Sequence, residues 1–311
     1  MRIAALLFTA CFALTAHAGP KDTVKPHAAK LVAPDTWVIT GPLGEPSVQN
    51  QGFMNNPGWV IAGDQVVVVD PGSSVQAGRM VVNAIKKTTK LPVTAVYNTH
   101  IHGDHWLGNQ AILDAWPNAV LIAHPDMIAK AKASEAEMWV RLMGQMTRGY
   151  TEGTRAVIPT VASFDGMTSK IGTRWFKVHL SNDAHSKTDI MIEVDNGVLF
   201  TGDNVLNGRI GRIDDGTFKG NMRAIELGIA MQPKVVVPGH GKTGGLSVLQ
   251  AQLDYLKTLY DAVKVEYNAG KSDFEMKPAV AKKLAAYKKW NGFDDALGRH
   301  ISLAILEIEQ E

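Results

Sequence analysis

The sequence predicts an α/β chain with two β-sheets in its middle and helices outside. Three observations lead there. Apolar runs of strand length alternate with segments of helical apolar spacing. Val66–Val69 and Val235–Val237 are unbroken valine runs, which implies sheets covered on both faces. Tight turns such as Gly63-Asp64 and Asp195-Asn196-Gly197 join neighbouring strands into hairpins.

The elements follow in order. Trp37–Thr40, Gly58–Ala62 and Gln65–Asp70 read as strands, the last two forming a hairpin. Ser74–Thr88 has helical spacing, Pro92–Tyr97 is a buried strand, Trp106–Ala115 a short helix and Ala119–Ala123 a strand. Residues 126–150 form a helical stretch bearing Met127, Met138, Met143 and Met146. Strands return at Trp175–His179, Asp189–Val194 and Val198–Thr201, then a helix at Asn221–Ala230 and a strand at Lys234–Val237. From Leu246 the chain is mostly helical, with a break near Ala269–Ser272. No solenoid repeat or low-complexity tract is evident.

Residues 1–18 have the pattern of an export signal. Arg2 supplies a positive start, Ile3–Leu14 is an apolar run too short to span a bilayer, and Ala16-His17-Ala18 fits a small-x-small cleavage site. The expected organisation is a signal peptide (1–18), a loose polar leader (19–30), a main domain (31–245) and helices packed on it (246–311). The expected location is the periplasm or the exterior. Cleavage would remove Cys11, the chain's single cysteine. The mature chain then has no thiolate nucleophile and no sulfur ligand, so any metal must be held by imidazole and carboxylate.

Composition narrows the classes further. Apolar residues at 45% and charged residues at 20% exclude a disordered chain and a multi-span membrane protein. A balance of 32 basic against 30 acidic residues gives no reason to expect a nucleic-acid partner. The expected partner is a small-molecule substrate, with no membrane attachment after cleavage.

The densest chemistry is His100-Ile-His102-Gly-Asp104-His105, directly after the strand ending at Tyr97. A loop at a strand end can converge such groups on a metal. Three more candidates sit at strand ends: His185 before the strand at 189, Asp203 after Leu199-Phe-Thr-Gly202, and His240 after Val235-Val-Val-Pro-Gly239. Strand ends are where α/β sheets form their ligand crevices.

With these landmarks in order, the chain resembles the metallo-β-lactamase fold superfamily over roughly residues 31–245. VVVVDPG (Asp70), THIHGDH, AHS, LFTGD and VPGHG carry the resemblance. It implies an αββα sandwich with a dinuclear metal site at one edge. His100, His102 and His185 would bind one ion, Asp104, His105 and His240 the other, and Asp203 would bridge them. Asp70 would steady the HxHxDH loop without binding metal. Two zinc ions are expected, although iron or manganese tolerates the same donors. Such a pair holds a bridging hydroxide as nucleophile, and Asp104 would be the catalytic group that orients it and moves its proton.

The branch is less sharply marked. The absent cysteine excludes the β-lactamases with a cysteine ligand. Cysteine-free β-lactamases share HxHxDH and export but usually lack the bridging aspartate. Asp203 instead resembles the glyoxalase II, lactonase and alkylsulfatase branches. Export argues against glyoxalase II itself, and export with balanced charge against the tRNA-processing nucleases. The expected function is an exported hydrolase of a small ester, thioester, lactone or lactam. The alternatives are a β-lactamase proper, or a non-hydrolytic metal-binding or iron-dependent redox protein on the same scaffold.

Pocket walls are suggested in three places. The loop 41–57 would overhang the metals with Phe53 and Met54 at its apolar tip. The 126–150 stretch, with Trp139, reads as helix packing or as an apolar lid. Asn204, Asn207 and Arg209 could reach a substrate carboxylate or carbonyl. His179 is expected away from the metals. The C-terminal helices could complete the pocket, cover the sandwich, or pair two copies through Leu297, Ile301, Ala304, Ile305 and Ile308.

Overall fold

A computed structural model describes residues 22–311. The expected export segment, its cleavage site and Cys11 lie outside the described residues. A seven-stranded sheet runs in the order β1 (Ala29–Ala33), β2 (Thr36–Ile39), β3 (Gly58–Ala62), β4 (Gln65–Val69), β5 (Val93–Asn98), β6 (Val120–Ala123) and β7 (Val161–Ala162). The first four strands are antiparallel and the last four parallel. The second sheet has five strands. In chain order they are β8 (Thr168–Ile171), β9 (Arg174–Ser181), β10 (Asp189–Val194), β11 (Val198–Leu206) and β12 (Val235–His240). Its strands are antiparallel except the β11–β12 pair.

The valine run of β4 shows how the layers are made. Successive side chains point to opposite faces of a strand. Val66 and Val68 therefore join a core under α1 (Val75–Thr88), while Val67 and Val69 join the core between the sheets. Each buried valine contributes about 1.5–3 kcal/mol of burial. The outer core also takes Ala111 and Ile112 of α3 (Asn109–Ala115). The inter-sheet core is completed by Phe176, Val178, Ile190, Ile192, Phe200 and Val237.

Helices α6 (Phe218–Ala230), α7 (Leu246–Asn268), α8 (Asp273–Lys283) and α9 (Phe293–Ile308) cover the second sheet. Their core includes Val205, Val236 and Ile210, so the C-terminal helices and the sandwich share one apolar interior. The result is an αββα sandwich with extra C-terminal helices. Leu297, Ile301, Ala304 and Ile308 are buried in that core, and Ile305 packs against it. The apolar stripe of α9 is therefore spent inside this chain, not on a surface that pairs copies.

Other expectations change in detail. From residue 22 the leader is tied down. Val24 is buried, and the Lys25 backbone N–H donates to Gln51 Oε1 at 2.6 Å. The helix expected at Trp106–Ala115 is two pieces, α2 (Gly103–Trp106) and α3. The Gly108 N–H is claimed by Gly72 O at 2.7 Å, which interrupts the i→i−4 ladder. The 126–150 stretch is a helix from Pro125 to Met146: α4 (Pro125–Lys130), a π-turn at Ala131–Glu135, and α5 (Ala136–Met146).

Candidate metal centre

All the candidate residues meet at one edge of the sandwich. The chain leaves β4 at Asp70 and β5 at Asn98. His185 precedes β10, Asp203 lies in β11, and His240 ends β12. The β11–β12 register shifts twice, between Phe200 and Gly202 and between Gly202 and Leu206, and such bulges re-aim a side chain.

Asp70 organises the first loop from below. Its φ is +51°, a left-handed value that aspartate tolerates better than most residues. Its carboxylate accepts from Thr99 N (2.8 Å), Thr99 Oγ1 (2.6 Å) and His105 Nδ1 (2.8 Å). The second loop is tied to the first by Ile101 N donating to Thr188 Oγ1 (3.1 Å) and Ile190 N to Thr99 O (2.8 Å). Buried Asp189 shapes the turn at His185 by accepting from Ser186 N and Oγ.

Outer hydrogen bonds fix which nitrogen of each ring faces inward. Asp70 takes the Nδ1–H of His105, and Met54 O takes that of His240 at 2.9 Å. The Thr99 hydroxyl gives its proton to Asp70 and so accepts from His100 Nδ1 at 3.0 Å. Asp215 Oδ2 accepts from His102 Nε2 at 3.0 Å. The inward atoms are then the lone pairs of His100 Nε2, His102 Nδ1, His105 Nε2 and His240 Nε2.

Those lone pairs crowd one another. His105 Nε2 lies 3.3 Å from His240 Nε2, and His102 Nδ1 lies 3.0 Å from His185 Nε2. Asp203 Oδ1 is 3.1 Å from His105 Nε2, and Asp203 Oδ2 is 3.3 Å from His240 Nε2 and 3.8 Å from His185 Nε2. Asp104 Oδ2 is 3.2 Å from His240 Nε2 and 3.5 Å from His105 Nε2. His100 Nε2 is buried with no hydrogen-bond partner. Converging lone pairs and carboxylates, with an orphaned imidazole nitrogen among them, call for cations at their centre. The donor set thus fits metal ions.

The electrostatics show two neutral rings and, around His105, a strong pull of the carboxylates for positive charge. Burial pushes His100 well below the usual imidazole range, and neighbouring His105 and His102 push it further. Burial likewise lowers His185, to about 3. Both rings are neutral, the form that binds metal. Burial opposes a charge on His105 too, but Asp203, Asp104 and Asp70 outweigh it and raise that ring well above the usual range. Burial favours a neutral Asp104, yet His105 and His240 hold its carboxyl well below the usual range.

Three sets of donor atoms lie within 4.8 Å of one another: His100, His102 and His185; Asp104, His105 and His240; and His100, His105 and Asp203. The third spans the other two. His179, as expected, lies elsewhere, against Glu193 at 2.8 Å.

The cleft above the cluster has a volume of about 60 Å³. Trp139, Leu142 and Met146 of α5 form an apolar wall, and the ring of Trp139 lies 5.0 Å from that of His102. This stretch therefore lines the site as well as filling the core, where Met143 is buried. The loop 41–57 lines the cleft through Glu45, Pro46 and Met54, whereas Phe53 does not reach it. Phe53 is buried in the core under α1, and Met54 is buried with its carbonyl on His240. Arg209 lines the cleft, whereas Asn204 and Asn207 do not. Asn204 is buried, accepting from Asn221 at its carbonyl, and Asn207 donates to Lys242 O.

Sequence reasoning missed Asp215, Thr99, Thr188 and Asp189. Their polar side chains act through contacts that only the folded loops create. Asp215 belongs to an Asp-Asp-Gly turn with no periodic signal.

An αββα sandwich with a histidine and aspartate cluster at its edge defines a metallohydrolase scaffold. The family profile described as the metallo-beta-lactamase superfamily matches residues 51–240, more than half the chain, and the chain belongs to that family. Two hydroxyacylglutathione hydrolases are similar over part of their length. One, from Prochlorococcus marinus (strain MIT 9303), is 42% identical over 69 residues, covering 22% of this chain and 25% of that one. The other, from Parasynechococcus marenigrum (strain WH8102), is 26% identical over 173 residues, covering 53% and 57%. The chain thus spans a quarter of the first relative and little more than half of the second. A solved metallo-beta-lactamase from Pontibacter korlensis shares the fold at a TM-score of 0.59 and 20% identity, covering 74% of this chain and 99% of that one.

Proposed function

We propose that this metallohydrolase is exported and uses two zinc ions to cleave a small ester, thioester, lactone or lactam. The observation that carries the reading is the convergence of seven donors, five histidines and two aspartates, with inward nitrogens set by outer hydrogen bonds. His100, His102 and His185 would hold one ion, Asp104, His105 and His240 the other, and Asp203 would serve both. Bound there, the ions would lower the pKa of water to about 7 and polarise a carbonyl oxygen.

The chain's own groups do the rest. Asp104 presents a carboxylate oxygen at the floor of the cleft, where it takes the attacking water's proton and passes it to the leaving group. Asp70, Thr99, Met54 and Asp215 hold the rings in their metal-binding tautomers. Trp139, Leu142 and Met146 exclude bulk water from one side. The names of the two curated relatives support a thioester among the candidate substrates.

A hydrolysis panel on the mature protein tests this. It holds a thioester, a lactone, an aryl ester and a chromogenic cephalosporin, each with and without chelator, beside elemental analysis. Chelator-sensitive turnover with two zincs per chain is the expected result. Turnover of the cephalosporin alone would make the protein a β-lactamase. One iron per chain and no hydrolysis would favour the redox alternative. Export is tested separately, by N-terminal sequencing of the protein from the periplasm: a start at Gly19 supports it.

A further inference from the structure

Arg209 is a buried cation at the cleft wall, and its partner is an exposed one. Arg209 is 6% exposed, while the side chain of Glu45 is 60% exposed. Arg209 Nη2 donates to Glu45 Oε1 at 2.6 Å across the mouth. Arg209 Nη1 lies 3.3 Å from His240 Nδ1, whose proton goes to Met54 O, so the guanidinium sits one imidazole ring away from the cluster. The arginine is also fixed in place. Its neighbours Gly208 and Ile210 bond to the backbone of Asn291 at 2.9 Å each.

Glu45 is held much less. Only its carbonyl and one carboxylate oxygen have partners, Asn50 Nδ2 and Arg209. Gly44 before it has a φ of +120°, a conformation that favours glycine. The base of the loop is pinned independently by Asn56, which donates to Pro238 O and Gly241 O. Glu45 is therefore held by fewer bonds than the base of the loop. Arg212, the cleft's other cation, is paired within its own loop to Asp214.

Volume gives the second observation. Pockets for small ligands hold roughly 300–1,000 Å³. The cleft, at about 60 Å³, admits a few waters, and Glu45 with Pro46 forms part of its mouth. Displacing Glu45 would widen that mouth.

We propose that Arg209 receives a carboxylate of the substrate, and that Glu45 occupies this position until the substrate displaces it. A planar fork suits a carboxylate bidentately, and Glu45 engages it with a single oxygen, so a better-seated carboxylate can win. The apolar wall of Trp139, Leu142 and Met146 then takes the uncharged part. The substrate class is a hydrolysable carbonyl compound that joins an apolar group to a free carboxylate. This rests on the hydrolase reading above, but its test does not.

The test is binding of hippurate and its uncharged amide to the mature, zinc-loaded protein by calorimetry, with a matched pair of thioesters, one bearing a free carboxylate and one capped as its methyl ester. Glu45→Gln should bind hippurate about tenfold tighter and leave the amide unmoved, since a charged competitor is lost. Arg209→Met should lose about tenfold or more of hippurate affinity, and Arg209→Lys should be intermediate because it keeps charge without the fork. The thioester pair should shift its relative kcat/KM the same way. Equal binding of hippurate and amide overturns the proposal. So does hippurate affinity unchanged in Arg209→Met and Arg209→Lys, which would send the carboxylate to the metals. Absence of turnover across the whole hydrolysis panel, with the expected hippurate pattern, would sink the hydrolase reading and leave the anion site standing.

Discussion

Asp215 accepts the Nε2–H of His102 over 3.0 Å, and this bond joins the HxHxDH loop to the loop that follows β11. It fixes His102 with Nδ1 inward, unlike His105 and His240, which face the cluster through Nε2. The same loop carries Arg209 and Arg212, so one segment supplies both a brace for a metal-facing ring and a wall of the cleft.

Asp215→Ala should therefore weaken the metals without unfolding the chain. Loss of such a brace typically costs 10–100-fold in metal affinity. Competition with a chelator of known affinity measures it, and Asp215→Asn, which still accepts a hydrogen bond, should fall between. The hydrogen bond from His102 lowers the Asp215 carboxyl to about 2. Its folded value lies below its unfolded one, so its contribution is present above about pH 4 and disappears as pH falls through about 2. Wild-type affinity in Asp215→Ala would remove it from the site.

Asp104→Ala should cost about 10²–10⁴-fold in kcat if this carboxylate moves the proton. Its melting temperature should stay near that of wild type with metal removed from both. Turnover at the wild-type rate would leave Asp104 as a ligand at most. Asp203→Ser should lower the metal content from two ions toward one, because Asp203 is the carboxylate near His105, His185 and His240 together. Two ions retained at unchanged affinity would argue against a shared ligand.

What the sequence made legible is what strands and strand ends encode. The valine run of β4 gave two buried faces, and the cluster of His100, His102, Asp104 and His105 after β5 gave the metal chemistry. The braces were not legible, because Asp215 and Thr188 are ordinary polar residues until the loops meet. The overhanging loop was misread for a related reason. Phe53 looks like part of an apolar tip because nothing local marks it as core, yet it is buried under α1, while Met54 and the polar Glu45 line the cleft. The stripe of α9 had several partners open to it in sequence. Only the folded arrangement of α7, α8 and α9 shows that Ile301 and Ala304 face the interior of this chain.

Gly239→Ala should be more damaging than its position in a strand suggests. A Cβ there would overlap Asp203 Oδ1 and press on the backbone of Gly202. Either the strand moves or Asp203 is pushed off its position between the histidines. Protein interiors do not absorb such overlap freely, and overpacking costs about 1–3 kcal/mol. Denaturant unfolding with and without metal should show a larger loss in the metal-loaded form. An equal loss in both would mean that the strand yields and Asp203 stays.

His300 links the C-terminal helices to the cleft and should give the protein an acid-sensitive step. It lies in α9, donates Nε2–H to Gly211 O at 2.8 Å, and faces the hydroxyl of Tyr255 through Nδ1 at 3.0 Å. Gly211 lines the cleft between Arg209 and Arg212. With the tyrosine donating to Nδ1, the neutral ring is fully satisfied and a second proton has no place. Burial lowers His300 to about 4, against the bond to Gly211 O, which favours the charged form. The unfolded ring titrates near 6.5. Between those values the unfolded chain binds the extra proton, so stability falls as pH drops from about 6.5 to 4. The size is on the order of 3 kcal/mol. His300→Gln cannot take up that proton in either state. The stability gap between wild type and this variant, measured by denaturant unfolding of metal-free protein, should shrink across that window. A gap that stays constant from pH 7 to 4 would show that His300 titrates alike in both states and is not the buried neutral link between α9 and the cleft.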